Sequence, residues 1–141
     1  MEELLDLASY NIEVVNESRI ENFVKVRDWY IGHFNRVSKH SAYTVKNIMT
    51  DRGVNIIQAH VHRLGMHALT YLDRTILGYE GGCLCGDSTP GGCNPNWQSG
   101  FIVMEPYDNG LRCSVFQVFI NKVGKARSFI FNGKRFSKKE A

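Results

Sequence analysis

Glycine is spread unevenly along the 141 residues, and that asymmetry constrains the fold more than any single motif. Residues 1–77 hold three Gly and residues 78–141 hold the other ten. Glycine weakens helix and strand interiors and serves turns. The first part can therefore mix helix and strand, whereas the second must be built of strands and turns. No internal repeat or low-complexity linker marks a boundary, so residues 1–141 read as a single domain of ordinary size. An aromatic fraction of 11% with three Pro sustains a packed core and excludes disorder.

No apolar run approaches the ~20 residues of a membrane span. Residues 1–30 are acidic and amphipathic, unlike a signal peptide. A cytoplasmic protein with no membrane partner is expected. Four Cys in such a compartment are thiols or metal ligands rather than disulfides. A net charge of +3 is too mild to argue for nucleic acid. The late cluster Lys122, Lys125, Arg127, Lys134, Arg135, Lys138 and Lys139 reads as a solvated terminal strand.

Residues 2–9 fit a short amphipathic helix and Asn11 to Val15 a short strand. Phe23 to Ile31 alternates into a strand pair ending at Gly32-His33. Residues 40–52 put Val45, Ile48 and Met49 on one helical face, and Gly53 stops that helix. The apolar run 54–57 predicts a strand covered on both faces. Gly65–Leu72 and Arg74–Tyr79 predict two strands around Asp73. Residues 80–98 form a long Gly-rich loop. Phe101–Glu105, Leu111–Ile120 and Arg127–Phe131 follow as strands, with Asp108-Asn109-Gly110 as a turn. The fold class is α+β: a mixed sheet with one or two helices and a strand-rich C-terminal part.

All five His (33, 40, 60, 62 and 67) fall within 35 residues. His60 and His62 follow the buried strand, and an i, i+2 pair on an extended segment points to one side. His33 follows another strand, at the same end if the two run parallel. Carboxyl ends of parallel strands are where such sheets collect ligands. His33, His60 and His62 are therefore the candidate metal ligands, a set that suits Zn, Mn, Fe or Ni. His40 is placed to cap the helix or approach a substrate, and His67 to pack along a strand. Cys83, Cys85 and Cys93 could make three thiolate ligands, with His67 or Cys113 as a fourth. Their spacing matches no common Cys-x2-Cys pair, and free thiols in a loop are the reading it favours. Trp97 and Phe101 anchor that loop, and Trp29 packs behind His33.

Gln58-Ala59-His60-Val61-His62-Arg63-Leu64-Gly65 resembles the Gly-His-x-His signature of calcineurin-like metallophosphoesterases, nearest their phage and prophage branch. Asp28 to His33 and Val37 to Thr44 resemble that branch's strand ending in a metal-ligand His, followed by a segment leading into a helix. Tyr79 to Cys85, Asn94 to Phe101 and Phe131 to Phe136 are similar to its tail in order and spacing. The resemblance spans essentially the whole chain. It implies the C-terminal half of a metallophosphoesterase α/β sandwich, in the bacterial host cytoplasm if phage-encoded. It further implies two divalent ions (Mn, Fe or Zn), His33 and His60 on one and His62 on the other. Arg63 and His40 would be phosphate neighbours, and the reaction hydrolysis of a phosphodiester or phosphomonoester, with a nucleotide or nucleic acid among the possible substrates.

The chain also departs from that pattern. Ala59 stands where the family has Gly, and Phe34 where many relatives have Gly. The family's Asp-x-His, Gly-Asp and Gly-Asn-His motifs have no counterpart in residues 1–32. Three arrangements accommodate this: a split enzyme whose second polypeptide supplies the N-terminal half, a non-catalytic remnant that binds a host or phage partner, or a homodimer with a reduced site. Each needs a partner.

Overall fold

The computed structural model describes Ser9, residues 23–85 and residues 96–138. The strand expected over Asn11–Val15, the helix expected over 2–9 apart from Ser9, and Cys93 and Lys139 lie outside them. Strands β1 (Phe23–Val26) and β2 (Trp29–Gly32) form the expected antiparallel pair. Helix α1 (Tyr43–Arg52) ends as its sequence predicts. Gly53 adopts a left-handed φ of 66° and its N–H donates to the Met49 carbonyl at 2.8 Å. β3 (Asn55–Gln58) then lies parallel to β2, in register Trp29 with Asn55 and Gly32 with Gln58. β4 (Leu64–Thr70) and β5 (Thr75–Gly81) form a hairpin, with β5 parallel to β3.

The resulting five-stranded sheet has the order β1-β2-β3-β5-β4. Its parallel strands are internal, and antiparallel β1 and β4 lie on the outside. Antiparallel β1 thus covers the outer edge of β2.

Each face of the sheet has its own core. On one, Val45, Ile48 and Met49 of α1 pack with Phe34, Ile56 and Ile76. Burying each of these aliphatic side chains contributes about 1.5–3 kcal/mol. Gly78 permits the close approach: a Cβ there would stand 2.1 Å from Met49 Sδ and 2.6 Å from Val45 Cγ2. On the other face, Trp29, Ile57 and Tyr79 meet Ile102, Met104, Cys113 and Val115. These four belong to the hairpin of β6 (Gly100–Tyr107) and β7 (Arg112–Phe119). Its turn is the expected one, with Asp108, Asn109 and Gly110 all at positive φ. Ile56 and Ile57, adjacent on β3, thus enter opposite cores, as the apolar run 54–57 requires.

The hairpin's outer residues carry a further sheet of β8 (Asn121–Val123), β9 (Ala126–Phe131) and β10 (Lys134–Lys138), in the order β10-β9-β8. Phe101 meets Phe129 at 5.3 Å between ring centroids, and Phe116 meets Phe131 at 6.3 Å. Alternation along β6 and β7 thus buries one set of side chains against Trp29 and the other against β9. The basic residues Lys134, Arg135 and Lys138 lie on β10, exposed along its whole length. Among the described residues no helix is long and apolar enough to cross a membrane. The architecture is α+β, one described helix over a strand-rich mixed sheet, as the sequence implies.

Candidate metal centre

The parallel register of β2 and β3 decides where the histidines go. Gly32 and Gln58 are paired last residues, so His33 and Ala59-His60 leave the sheet side by side at its carboxyl edge. The Ala59 N–H donates to the Gly32 carbonyl at 3.3 Å, extending the pairing one step. His60 Nδ1 and His33 Nε2 then lie 3.2 Å apart, with the rings edge to face. One nitrogen donates a proton to the other.

Two nitrogens each about 2.0–2.1 Å from one tetrahedral ion are separated by about 3.3 Å. The observed pair therefore already has the spacing of two ligands to a single ion. Burial lowers the pKa of His60 from the ordinary imidazole value, and the neighbouring His33 and His62 lower it further. A lowered value favours the neutral ring, which is the form that binds metal.

His62 does not follow the simple i, i+2 expectation. β3 ends at Gln58, residues 60 and 61 form a turn, and His62 takes a left-handed φ of 56°. Its ring packs edge to face with Trp97 at 4.5 Å between centroids, so that aromatic anchors the histidine. Ligand atoms of His62, Cys83 and Cys85 lie within 4.8 Å of one another. His62 Nδ1 is buried without a hydrogen-bond partner among the described residues. Burial pushes the Cys83 thiol up, and Cys85 beside it adds opposing smaller effects.

Gln98 holds this second cluster together. Its N–H donates to the His62 carbonyl at 3.0 Å and its carbonyl accepts from Cys83 N–H at 3.1 Å. Its side-chain oxygen accepts from Leu64 N–H at 3.1 Å. Nothing local in the sequence marks Gln98 for this task, although it lies in one of the segments that carry the resemblance. Among the described residues neither His67 nor Cys113 joins Cys83 and Cys85.

Arg63 and His40 sit away from the imidazole pair's contacts. Arg63 is buried, and its guanidinium donates to the Lys39 carbonyl at 2.8 Å and to the Ser38 carbonyl. It clamps the segment that leads from His33 into α1. His40 is exposed and its ring packs on Tyr43 at 5.6 Å. The helix cap is instead Glu80, fully buried at the end of β5, which accepts from Ala42 N–H at 2.9 Å and Val45 N–H at 3.4 Å.

Leu84, Cys85, Ile120, Phe129 and Phe136 line an apolar cavity of about 460 Å³. No histidine lines it; Cys85 is the one residue it shares with the His62–Cys83–Cys85 group among the described residues. No protein-family model, curated protein or solved structure matches this chain.

Proposed function

We propose that this chain contributes the C-terminal, imidazole-bearing part of a divalent-metal-dependent phosphoesterase, completed by a second polypeptide. The observation that carries the reading is the 3.2 Å contact between His33 and His60 at the ends of two parallel strands. Those two residues would hold one divalent ion (Mn, Fe or Zn), and His62 would face a second position. An ion so held lowers the pKa of an attacking water and neutralises phosphate oxygens. The chain's own part is positional: the β2–β3 register fixes both rings, and Arg63 fixes the loop beyond His33. Carboxylate ligands are absent from the contacts of these three histidines among the described residues, which is why a complementing chain is part of the proposal.

The test is hydrolysis of an aryl phosphodiester with Mn²⁺ or Zn²⁺ present. It is run on the chain alone and with a polypeptide carrying the Asp-x-His, Gly-Asp and Gly-Asn-His motifs encoded beside it. Turnover is expected only in the mixture, and His33→Ala or His60→Ala should abolish it. If the mixture is inactive while His60→Ala leaves partner binding unchanged, the chain is a non-catalytic interaction protein instead.

A further inference from the structure

We infer that His62, Cys83 and Cys85 form a thiolate-bearing metal site that takes Zn²⁺ or another thiophilic divalent ion. The inference takes His62 from the reading above but none of its chemistry, and it stands or falls without the complementing chain. Three independent observations meet here. The three ligand atoms lie within 4.8 Å of one another, although the residues come from a turn after β3 and a segment after β5. Ligands to one tetrahedral zinc are about 3.5–3.8 Å apart, given Zn–S near 2.3 Å and Zn–N near 2.0 Å. An approach of about 1 Å brings the widest pair to those distances, and Cys85 is exposed.

The second observation is His62 Nδ1, which is buried with no partner among the described residues. Buried polar nitrogens are ordinarily hydrogen-bonded, and an orphan one is costly. An ion bound at this nitrogen would supply the missing partner. The third is the scaffold, in which Gln98 bonds the His62 carbonyl and the Cys83 N–H from its two sides. Trp97 packs on the ring and fixes its direction. The cysteines are free thiols, so no disulfide competes for either sulfur. Two thiolates and one imidazole select Zn²⁺ over Mn²⁺, and three protein ligands leave a fourth position open.

Cobalt titration of the metal-free, reduced chain is the test, because thiolate-to-cobalt charge transfer absorbs in the near ultraviolet and imidazole ligation does not produce it. One Co²⁺ per chain should develop this band, and Zn²⁺ should displace it. Cys83→Ser, Cys85→Ser and His62→Asn should each weaken binding at least about tenfold, since losses beyond the ligand shell alone cost that much. Asn is chosen because it tolerates the left-handed backbone at position 62. His33→Ala should leave the band intact, which separates this site from the His33–His60 pair. Absence of the band in the folded chain would overturn the inference. So would a band of unchanged affinity in Cys85→Ser, a variant at an exposed position that keeps its circular dichroism.

Discussion

Glu80 shows how far a single residue's role can lie from its sequence neighbourhood. Ala42, at the N-cap position, makes no side-chain cap bond and has a left-handed φ of 66°. The orphan N–H groups of the first turn are answered from β5, 38 residues away, by a fully buried carboxylate. His40 had the better local position for a cap but is turned outwards onto Tyr43. Glu80→Ala should therefore destabilise the fold by about 1–3 kcal/mol, because it strands buried donors. Glu80→Gln keeps an acceptor oxygen and should cost less. Chemical denaturation checks the ranking, and an unchanged midpoint for Glu80→Ala would remove the cap from the account. His62 makes the same point. Its orientation depends on Gln98 and Trp97, more than 30 positions on, so the alternation rule could not place it.

At the scale of elements, legibility follows local determination. Helix α1 was readable because its apolar face and its Gly53 stop lie within one short segment. β3 was readable from an apolar run that both cores demand. The convergence of His33 and His60 needed only one further assumption, that β2 and β3 run parallel, and they do. β8 escaped because its three residues are exposed and show no alternation; it exists through pairing with β9 across Gly124 at φ 58°. The helix–sheet contact itself depends on Gly78. Gly78→Ala should cost about 1–3 kcal/mol by overpacking, and more if Met49 cannot shift. Adding Met49→Ala should recover part of that loss, since the two positions share one space. Strict additivity of the two substitutions in denaturation would show that the contact does not limit the packing.

For the whole molecule, the histidine window mattered because two parallel strands end together. Helix on one face and hairpin on the other leave that carboxyl edge as the place where His33 and His60 meet. The five histidines do not act as one cluster. His33 and His60 pair, His62 turns towards Cys83 and Cys85, and His40 stands apart on Tyr43. The metallophosphoesterase reading rests on the first of these groups, and the thiolate site on the second. Zn²⁺ titration by calorimetry separates them when Cys83 and Cys85 are both replaced by Ser, which removes both described thiolates from the second group and leaves the His33–His60 pair intact. In that background, the account predicts that Zn²⁺ binding persists and that His33→Ala weakens it at least about tenfold without loss of fold. Zn²⁺ affinity that is unchanged by His33→Ala would contradict it.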